Sequence, residues 1–173
     1  GSFTSYNQVN KSVDIIKNLH PDLLFFTGDL VNNKAEEIEP YIDIFKNMKG
    51  KYGSYSVFGN HDYGDYERWP TNEAKIQNLD ALKAHHSSIG WSLLLNANET
   101  IEVKGEKISI IGVENYSASH RFTKYGNLDQ AYSGVPADSL KLLLSHDPSH
   151  WNYEVNKKYH DISLTLSGHT HGF

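Results

Sequence analysis

The chain has 173 residues, and its apolar fraction of 38% and aromatic fraction of 12% favour a single folded domain over residues 1–173 rather than a disordered one. A net charge of −5 argues against the broad basic surface of nucleic-acid-binding proteins, and the absence of cysteine excludes disulfides, thiolate metal sites and cysteine nucleophiles. No apolar run approaches the roughly 20 residues of a membrane-spanning helix, and no signal peptide is visible.

Hydrophobic spacing predicts helices over about residues 5–19, 39–49 and 72–89, with a helical turn near 127–133. Ser5 suits a capping box, Pro40 suits the first turn of the second helix, and His85 and His86 are expected to face solvent. The predicted strands are, in chain order, "PDLLFFTGD", "GSYSVFGN", "WSLLL", "ETIEVKG", "EKISIIGV", "LKLLLSH" and "DISLTLSGH". Alternation of strands and helices indicates an α/β fold.

Four polar side chains follow four predicted strands, each at the point where the strand ends. Asp29 follows "LLFFTG" and Asn60 follows "SYSVFG", while His146 follows "LKLLLS" and His169 follows "ISLTLSG". Functional groups of α/β sheets collect in the loops beyond the carboxyl ends of the strands. We therefore expect these four groups to converge on one crevice.

The converging groups form a mixed nitrogen and oxygen set that suits Zn²⁺, Mn²⁺ or Fe²⁺. A carboxylate has two oxygens, so Asp29 can bridge two cations. His169 and His171 are two residues apart and point the same way on an extended segment, which suits one metal or two neighbouring ones. Two metals about 4 Å apart are a recurrent device for phosphoester hydrolysis, since they hold phosphate oxygens and lower the pKa of a bridging water.

His61 lies next to Asn60 in "GNHD" and need not be a metal ligand. From the wall of the crevice it could protonate a leaving oxygen or donate to a phosphoryl oxygen. An imidazolium in that position needs an orienting partner, and Asp62 and Asn32 are both candidates.

The blocks "GDLVN", "GNHD", "SHD" and "GHTH" together resemble the successive motifs of the calcineurin-like metallophosphoesterases, in matching order and spacing along the chain. The resemblance implies an α/β fold made of a two-sheet β-sandwich flanked by helices, and a dinuclear metal site. It implies that Asp29 bridges both metals, that Asn60, His146 and His169 complete the shell of one, and that His171 belongs to the other. His61 would then be the acid or the phosphate-binding histidine.

One block of that family is missing. The family begins with an Asp-x-His block on a first strand, whereas "SFTSYNQ" contains neither residue. We expect that block to lie upstream. Without it, we expect the chain to bind one divalent metal (Mn, Fe or Zn) well and a second weakly or not at all. The likeness is strongest to bacterial envelope-associated members, some of which carry an upstream membrane anchor. Both the cell envelope and the cytoplasm remain open as locations.

Contacts to a small phosphorylated substrate are expected from two aromatic loops, residues 63–70 and 114–127. Arg121 could bind phosphate and Tyr63 could stack on a base or sugar.

The leading hypothesis is a phosphomonoesterase or phosphodiesterase that uses a dinuclear centre and a metal-bound hydroxide nucleophile. The alternative is a catalytically impaired metal- or phosphate-binding domain, because the first ligand block is absent. A third possibility, a metal-dependent hydrolase of another bond such as an amide, is disfavoured by the Asn60-His61 pair and by the bridging Asp29.

Overall fold

The computed structural model describes residues 5–118 and 123–171. The strands within these ranges are β1 (Leu24–Phe26), β2 (Ser54–Ser56), β3 (Ser92–Leu93), β4 (Ala97–Val103), β5 (Glu106–Val113), β6 (Leu140–Ser145) and β7 (Ile162–Leu166). The α-helices are α1 (Tyr6–Asn18), α2 (Ile42–Phe45), α3 (Asn72–Ile89), α4 (Leu128–Tyr132) and α5 (Asn156–Lys158). Two 3₁₀ segments (Ala35–Tyr41 and His61–Tyr63) and a π-helical turn (Trp151–Val155) complete the described elements.

The strands form two sheets, and in each sheet the parallel strands present their carboxyl ends at one edge. The first sheet has the order β1-β2-β3 with parallel pairing, for example Phe25 opposite Tyr55. The second has the order β4-β5-β6-β7, in which β4 and β5 are antiparallel and β5, β6 and β7 run parallel, with Leu143 opposite Thr165. The loops after β1 and β2 therefore leave one sheet in a common direction, and the loops after β6 and β7 leave the other in the same way.

The two sheets pack face to face through a buried apolar layer. It is formed by Tyr55 and Val57 from one sheet, by Ile110 and Leu144 from the other, and by Leu94, all at most 6% exposed. This burial removes both inner faces from water, which is the main favourable term in the association of the sheets.

Helices cover the two outer faces. On the first sheet, α1 and α3 pack their apolar sides into a cluster that includes Val13, Leu82 and Trp91. On the second sheet, α4 and the helical turns before β7 contribute Leu128 and Val155. The resulting layers are helix, sheet, sheet and helix, so the predicted two-sheet sandwich flanked by helices is confirmed. None of the described helices is long and apolar enough to cross a membrane.

The helix boundaries follow local hydrogen bonding. The predicted helix over 72–89 is confirmed: the Thr71 hydroxyl accepts from the Ala74 N–H at 3.2 Å, and Gly90 ends the helix at φ +92°. Ser5 is the residue just before α1 and makes no side-chain capping hydrogen bond, so its predicted capping contact is wrong. The predicted helix over 39–49 is instead a 3₁₀ segment that begins at Ala35, followed by the short α2.

The carboxylate of Glu37 explains that earlier start. It accepts from the backbone N–H groups of Asn32, Asn33 and Lys34 at 2.7–2.9 Å. The Lys34 N–H is one of the donors that the start of a helix leaves without a partner, and the other two N–H groups belong to the residues just before it. Because the N–H groups are satisfied here, the helical segment begins before Pro40 rather than at it.

Candidate metal centre

Two of the loops that follow strands hold a predicted ligand in an unusual backbone conformation. Asp29 has φ +60° and His169 has φ +67°, both in the left-handed region that non-glycine residues rarely occupy. Such conformations persist where the surrounding structure enforces them, and they cluster at functional sites. A Cβ on Gly28 would lie 2.4 Å from the backbone nitrogen of Gly59, so glycine is what lets the loops after β1 and β2 touch.

The four predicted strand-end residues meet at the rim shared by the two sheets. Donor atoms of Asp29, His146 and His169 all lie within 4.8 Å of one another. His146 Nε2 is 3.2 Å from Asp29 Oδ2 and 3.2 Å from His169 Nδ1. Asn60 Oδ1 lies 3.1 Å from His146 Nε2 and 3.0 Å from His169 Nδ1. Each sheet thus contributes two donors to one point.

This donor set fits a divalent cation. Ligand atoms held about 2.1 Å from one tetrahedral ion lie about 3.4 Å apart, close to the separations between these nitrogens and oxygens. Two imidazoles, one carboxylate and one amide oxygen also match the ligand preference of Zn²⁺, Mn²⁺ and Fe²⁺. Asn60 and His146 are buried and Asp29 and His169 partly so, which leaves the cluster open on one side.

His146 is oriented by a contact outside the cluster. Its Nδ1 lies 2.7 Å from the backbone carbonyl oxygen of Thr27, so the ring donates its Nδ1 hydrogen there. In the neutral ring the lone pair of Nε2 then faces the cluster, an arrangement that metal-binding histidines commonly use. The backbone N–H of Gly168 also donates to the His146 carbonyl at 2.9 Å, which ties the loops after β6 and β7 together.

The charges of the cluster perturb one another. Burial disfavours the ionised forms of both Asp29 and His146, but their mutual hydrogen bond and attraction outweigh it, so the pKa of Asp29 is lowered and the pKa of His146 is raised. Burial and the neighbouring His146 ring lower the pKa of His169. A bound cation would favour the carboxylate and the neutral imidazoles, since metal binding releases ligand protons.

A tyrosine orients the Asn60 amide. Asn60 Nδ2 donates to the Tyr66 hydroxyl oxygen at 2.9 Å, which leaves Oδ1 facing the two imidazoles. Tyr66 is not among the site residues predicted from the sequence, although it lies inside the aromatic loop 63–70. The sequence feature that could have identified Tyr66 is its position six residues after a predicted ligand, on a loop that returns to the crevice.

His61 lies beside the cluster rather than in it. Its backbone N–H donates to Asp29 Oδ1 at 3.0 Å, and its ring Nδ1 lies 2.9 Å from the backbone carbonyl oxygen of Asn32. Of the two candidates for orienting this ring, the structure therefore favours Asn32, through its backbone rather than its amide. The ring of Tyr66 lies 4.9 Å from the ring of His61, centroid to centroid.

Asp62 has a different position from the one that its candidate role requires. Its fully buried carboxylate accepts from the backbone N–H groups of Asp29, Leu30 and Gly59 at 2.8 Å and of Val31 at 3.2 Å. Burial raises the pKa of Asp62 to about 6, while these N–H donors favour the ionised form. Asp62 thus joins the backbones of two ligand loops and does not contact the His61 ring.

Of the three remaining predicted site residues, two are described by the structure and lie outside the cluster. His171 is exposed at φ +54° and is not in the group formed by Asp29, His146 and His169. Tyr63 is 3% exposed, stacks on Tyr125 with ring centroids 3.8 Å apart and donates to Glu114 at 2.9 Å, so it packs in the interior instead of contacting substrate. Arg121 lies outside the described residues.

The calcineurin-like phosphoesterase family model matches residues 2–173 of the chain. An uncharacterized metallophosphoesterase of Bacillus subtilis, YkoQ, is 30% identical over 153 residues, which are 87% of this chain and 50% of the relative. A Danio rerio transmembrane protein with a metallophosphoesterase domain is 28% identical over 175 residues, 99% of this chain and 38% of the relative. The chain thus spans half or less of the length of these relatives.

Among solved structures, the NAD nucleotidase NadN of Haemophilus influenzae matches with a TM-score of 0.54 at 21% identity. The match covers 94% of this chain and 36% of that one. At this level of identity the likeness supports the fold described above and carries no information on substrate.

Proposed function

Because the chain belongs to the calcineurin-like phosphoesterase family, we propose that the protein is a metal-dependent hydrolase of phosphoesters. The observation that carries the proposal is the convergence of Asp29, Asn60, His146 and His169 on one point at the rim of both sheets. This set brings together the donors that a divalent cation needs, and it leaves His61 alongside, free of the cluster.

In this proposal Asn60, His146 and His169 would hold one metal together with Asp29, and Asp29 and His171 would serve a second. When bound, the metals supply positive charge that holds phosphoryl oxygens and lowers the pKa of water, as the predicted dinuclear centre with a hydroxide nucleophile requires. The protein's own part is to fix the ligands: the Thr27 carbonyl sets the His146 ring, and Asp62 holds the loop of Asp29 against the loop of Asn60.

His61 is proposed to protonate the leaving oxygen or to donate to a phosphoryl oxygen. The Asn32 carbonyl accepts the hydrogen on Nδ1, which fixes the ring and leaves Nε2 for the substrate. A hydrogen bond from the His61 backbone to Asp29 keeps this ring at a constant position relative to the ligand carboxylate. Removing such an acid typically costs about 10²–10⁴ in rate.

The substrate class is proposed as a small phosphorylated compound, since a net charge of −5 disfavours a long polyanion. We also extend to this protein the membrane tether that the name of the Danio rerio relative indicates, so that the domain described here would act at a membrane.

A second candidate is a metal- or phosphate-binding domain with impaired catalysis. It is favoured by the position of His171, which lies exposed and apart from the other donors. In that case the first metal would bind to the cluster around His146, and turnover would be absent.

The test uses the protein at its full natural length, stripped with a chelator and reloaded with Mn²⁺, Fe²⁺ or Zn²⁺. Aryl phosphate mono- and diesters report turnover, and calorimetry reports metal binding. The expected result is metal-dependent turnover that is lost together with metal binding in His146→Ala, and lost without loss of metal binding in His61→Gln. His160→Gln, at an exposed histidine, is the matched control and should change neither.

The outcomes separate the two candidates. Metal binding without turnover in the unaltered protein would refute the hydrolase and support the binding domain. If His61→Gln kept full turnover, the role assigned to that ring would be wrong.

A further inference from the structure

Tyr66 contacts both halves of the candidate site. Its hydroxyl oxygen accepts from Asn60 Nδ2 at 2.9 Å, and its ring lies 4.9 Å from the His61 ring at an interplanar angle of 51°. The side chain nevertheless remains 49% exposed. An aromatic side chain that touches a proposed ligand and a proposed acid, and still presents half of its surface to solvent, is available to contact a molecule that approaches the cluster.

The loop that carries Tyr66 is anchored on both sides. Asp65 accepts from the Tyr125 hydroxyl at 2.9 Å and forms an ion pair with Lys75 on α3. The indole N–H of Trp69 donates to the Gly64 carbonyl at 2.7 Å and closes the loop. Tyr66 is therefore held in place by its neighbours before any substrate arrives, and a rigid group binds with a smaller loss of conformational entropy.

The hydroxyl group can serve two partners. Because its oxygen accepts from Asn60, its hydrogen is left for another acceptor, and no hydrogen bond found among the described residues uses it. A phosphoryl or ester oxygen bound at the cluster would be such an acceptor. The same hydroxyl stabilises the amide orientation that presents Asn60 Oδ1 to His146 and His169.

We propose that Tyr66 is a substrate-contacting residue that selects phosphoesters whose organic group carries a flat ring, such as an aryl group or a nucleobase. The exposed face of its ring stacks on that group, and its hydroxyl positions the Asn60 amide toward the metal. This inference rests on the proposed function for the identity of the ligand, but its tests measure binding and do not require turnover.

The first test concerns the hydroxyl group. Tyr66→Phe removes it and keeps the ring, so Mn²⁺ affinity measured by calorimetry on the full-length protein should fall about tenfold, as it does when outer partners of metal ligands are removed. Tyr6→Phe is the matched control, since Tyr6 is 54% exposed on α1 and stacks on Tyr41 instead of a site residue; its Mn²⁺ affinity should match that of the unaltered protein. An affinity of Tyr66→Phe within twofold of the unaltered protein would overturn the positioning role.

The second test concerns the ring. Phenylphosphonate and methylphosphonate share a phosphonyl group, have no ester bond to hydrolyse and differ in the flat ring. The Mn²⁺-loaded protein should bind the phenyl compound about fivefold more tightly, a preference that Tyr66→Phe keeps and Tyr66→Leu loses. Equal binding of both compounds by the unaltered protein, or an unchanged preference in Tyr66→Leu, would overturn the stacking role.

These outcomes are distinguishable from failure of the proposed function. A protein that binds Mn²⁺ and prefers the phenyl compound through Tyr66, but turns over no phosphoester, would refute the hydrolase and support the present inference. A protein that hydrolyses phosphoesters, but whose affinities for Mn²⁺ and for phenylphosphonate do not change when Tyr66 is replaced, would support the hydrolase and refute the present inference.

Discussion

Replacing Asp62 by alanine should destabilise the fold more than almost any other single change in the site. The two carboxylate oxygens accept from the backbone N–H groups of Asp29, Leu30, Val31 and Gly59, and the side chain is fully buried. Alanine leaves the buried N–H groups of Leu30, Val31 and Gly59, and the partly buried one of Asp29, without an acceptor. The loops after β1 and β2 then lose the group that joins them.

The magnitude follows from the cost of unsatisfied buried donors. Each costs about 1–3 kcal/mol, so the lower bound for four is about 4 kcal/mol. A domain of ordinary stability unfolds with about 5–15 kcal/mol, so the loss is a large fraction of the total. With a urea dependence of about 2 kcal/mol per molar, the midpoint of unfolding should fall by about 2 M.

The assay is urea unfolding of the metal-free protein followed by circular dichroism, so that ligand binding makes no contribution. Asp62→Asn keeps one acceptor oxygen, so its unfolding midpoint should lie between those of the unaltered protein and Asp62→Ala. Asp80→Ala, whose carboxylate pairs with Lys83 on an exposed face of α3, is the control and should change the free energy of unfolding by about 0.5 kcal/mol or less. A midpoint for Asp62→Ala within about 0.3 M of the unaltered protein would refute the reasoning.

Two further changes test other parts of the structure. A Cβ on Gly59 would lie 2.2 Å from Asp29 Oδ1 and 2.6 Å from His146 Cε1, so Gly59→Ala should weaken Mn²⁺ binding, measured by calorimetry, by about tenfold or more. The control is Gly90→Ala, which has no neighbour within 4 Å but has φ +92°, so it should change stability and leave Mn²⁺ affinity unchanged. Equal Mn²⁺ affinities of the two variants would contradict this reasoning. Burial lowers the pKa of His86 to about 3, so between about pH 6.5 and pH 3 the unfolded chain binds a proton that the folded state does not. The free energy of unfolding should therefore fall as the pH is lowered through this range, by up to about 1.4 kcal/mol per pH unit. His86→Asn, which has no titrating ring, should show a shallower decline of unfolding free energy between pH 7 and 4.5, and parallel declines would show that His86 is not responsible.

The convergence of the four strand-end side chains could be predicted from the sequence, because each of them follows a strand. Parallel strands align their carboxyl ends, so a polar residue directly after each apolar run in "LLFFTGD" and "SYSVFGN" had to meet its counterpart. The histidines after β6 and β7 follow the same rule in the second sheet. The layered fold could be predicted for a related reason, since alternating apolar runs and helical spacing leave few ways to bury both faces of a sheet.

The roles of individual side chains could not be predicted, because they depend on where each side chain points. Asp62 and His61 are adjacent in "GNHD", yet one accepts backbone hydrogen bonds in the interior while the other faces the crevice. Tyr63 and Tyr66 belong to the same loop, and only the second is exposed beside the candidate ligands. His86 was expected to face solvent, but it is buried against Phe58 and Trp91 and hydrogen-bonds Ser56. Composition gives no signal for these differences.

Because the candidate metal ligands come from both sheets, metal binding would also stabilise the packing of one sheet on the other. Asp29 and Asn60 follow strands of one layer, and His146 and His169 follow strands of the other. An ion held by all four residues would cross-link the two sheets at one edge, where the buried apolar layer between them ends. Separation of the layers would then require ejection of the ion, so occupancy should slow amide hydrogen exchange in β2 and β6 together, far beyond the residues that touch the ion.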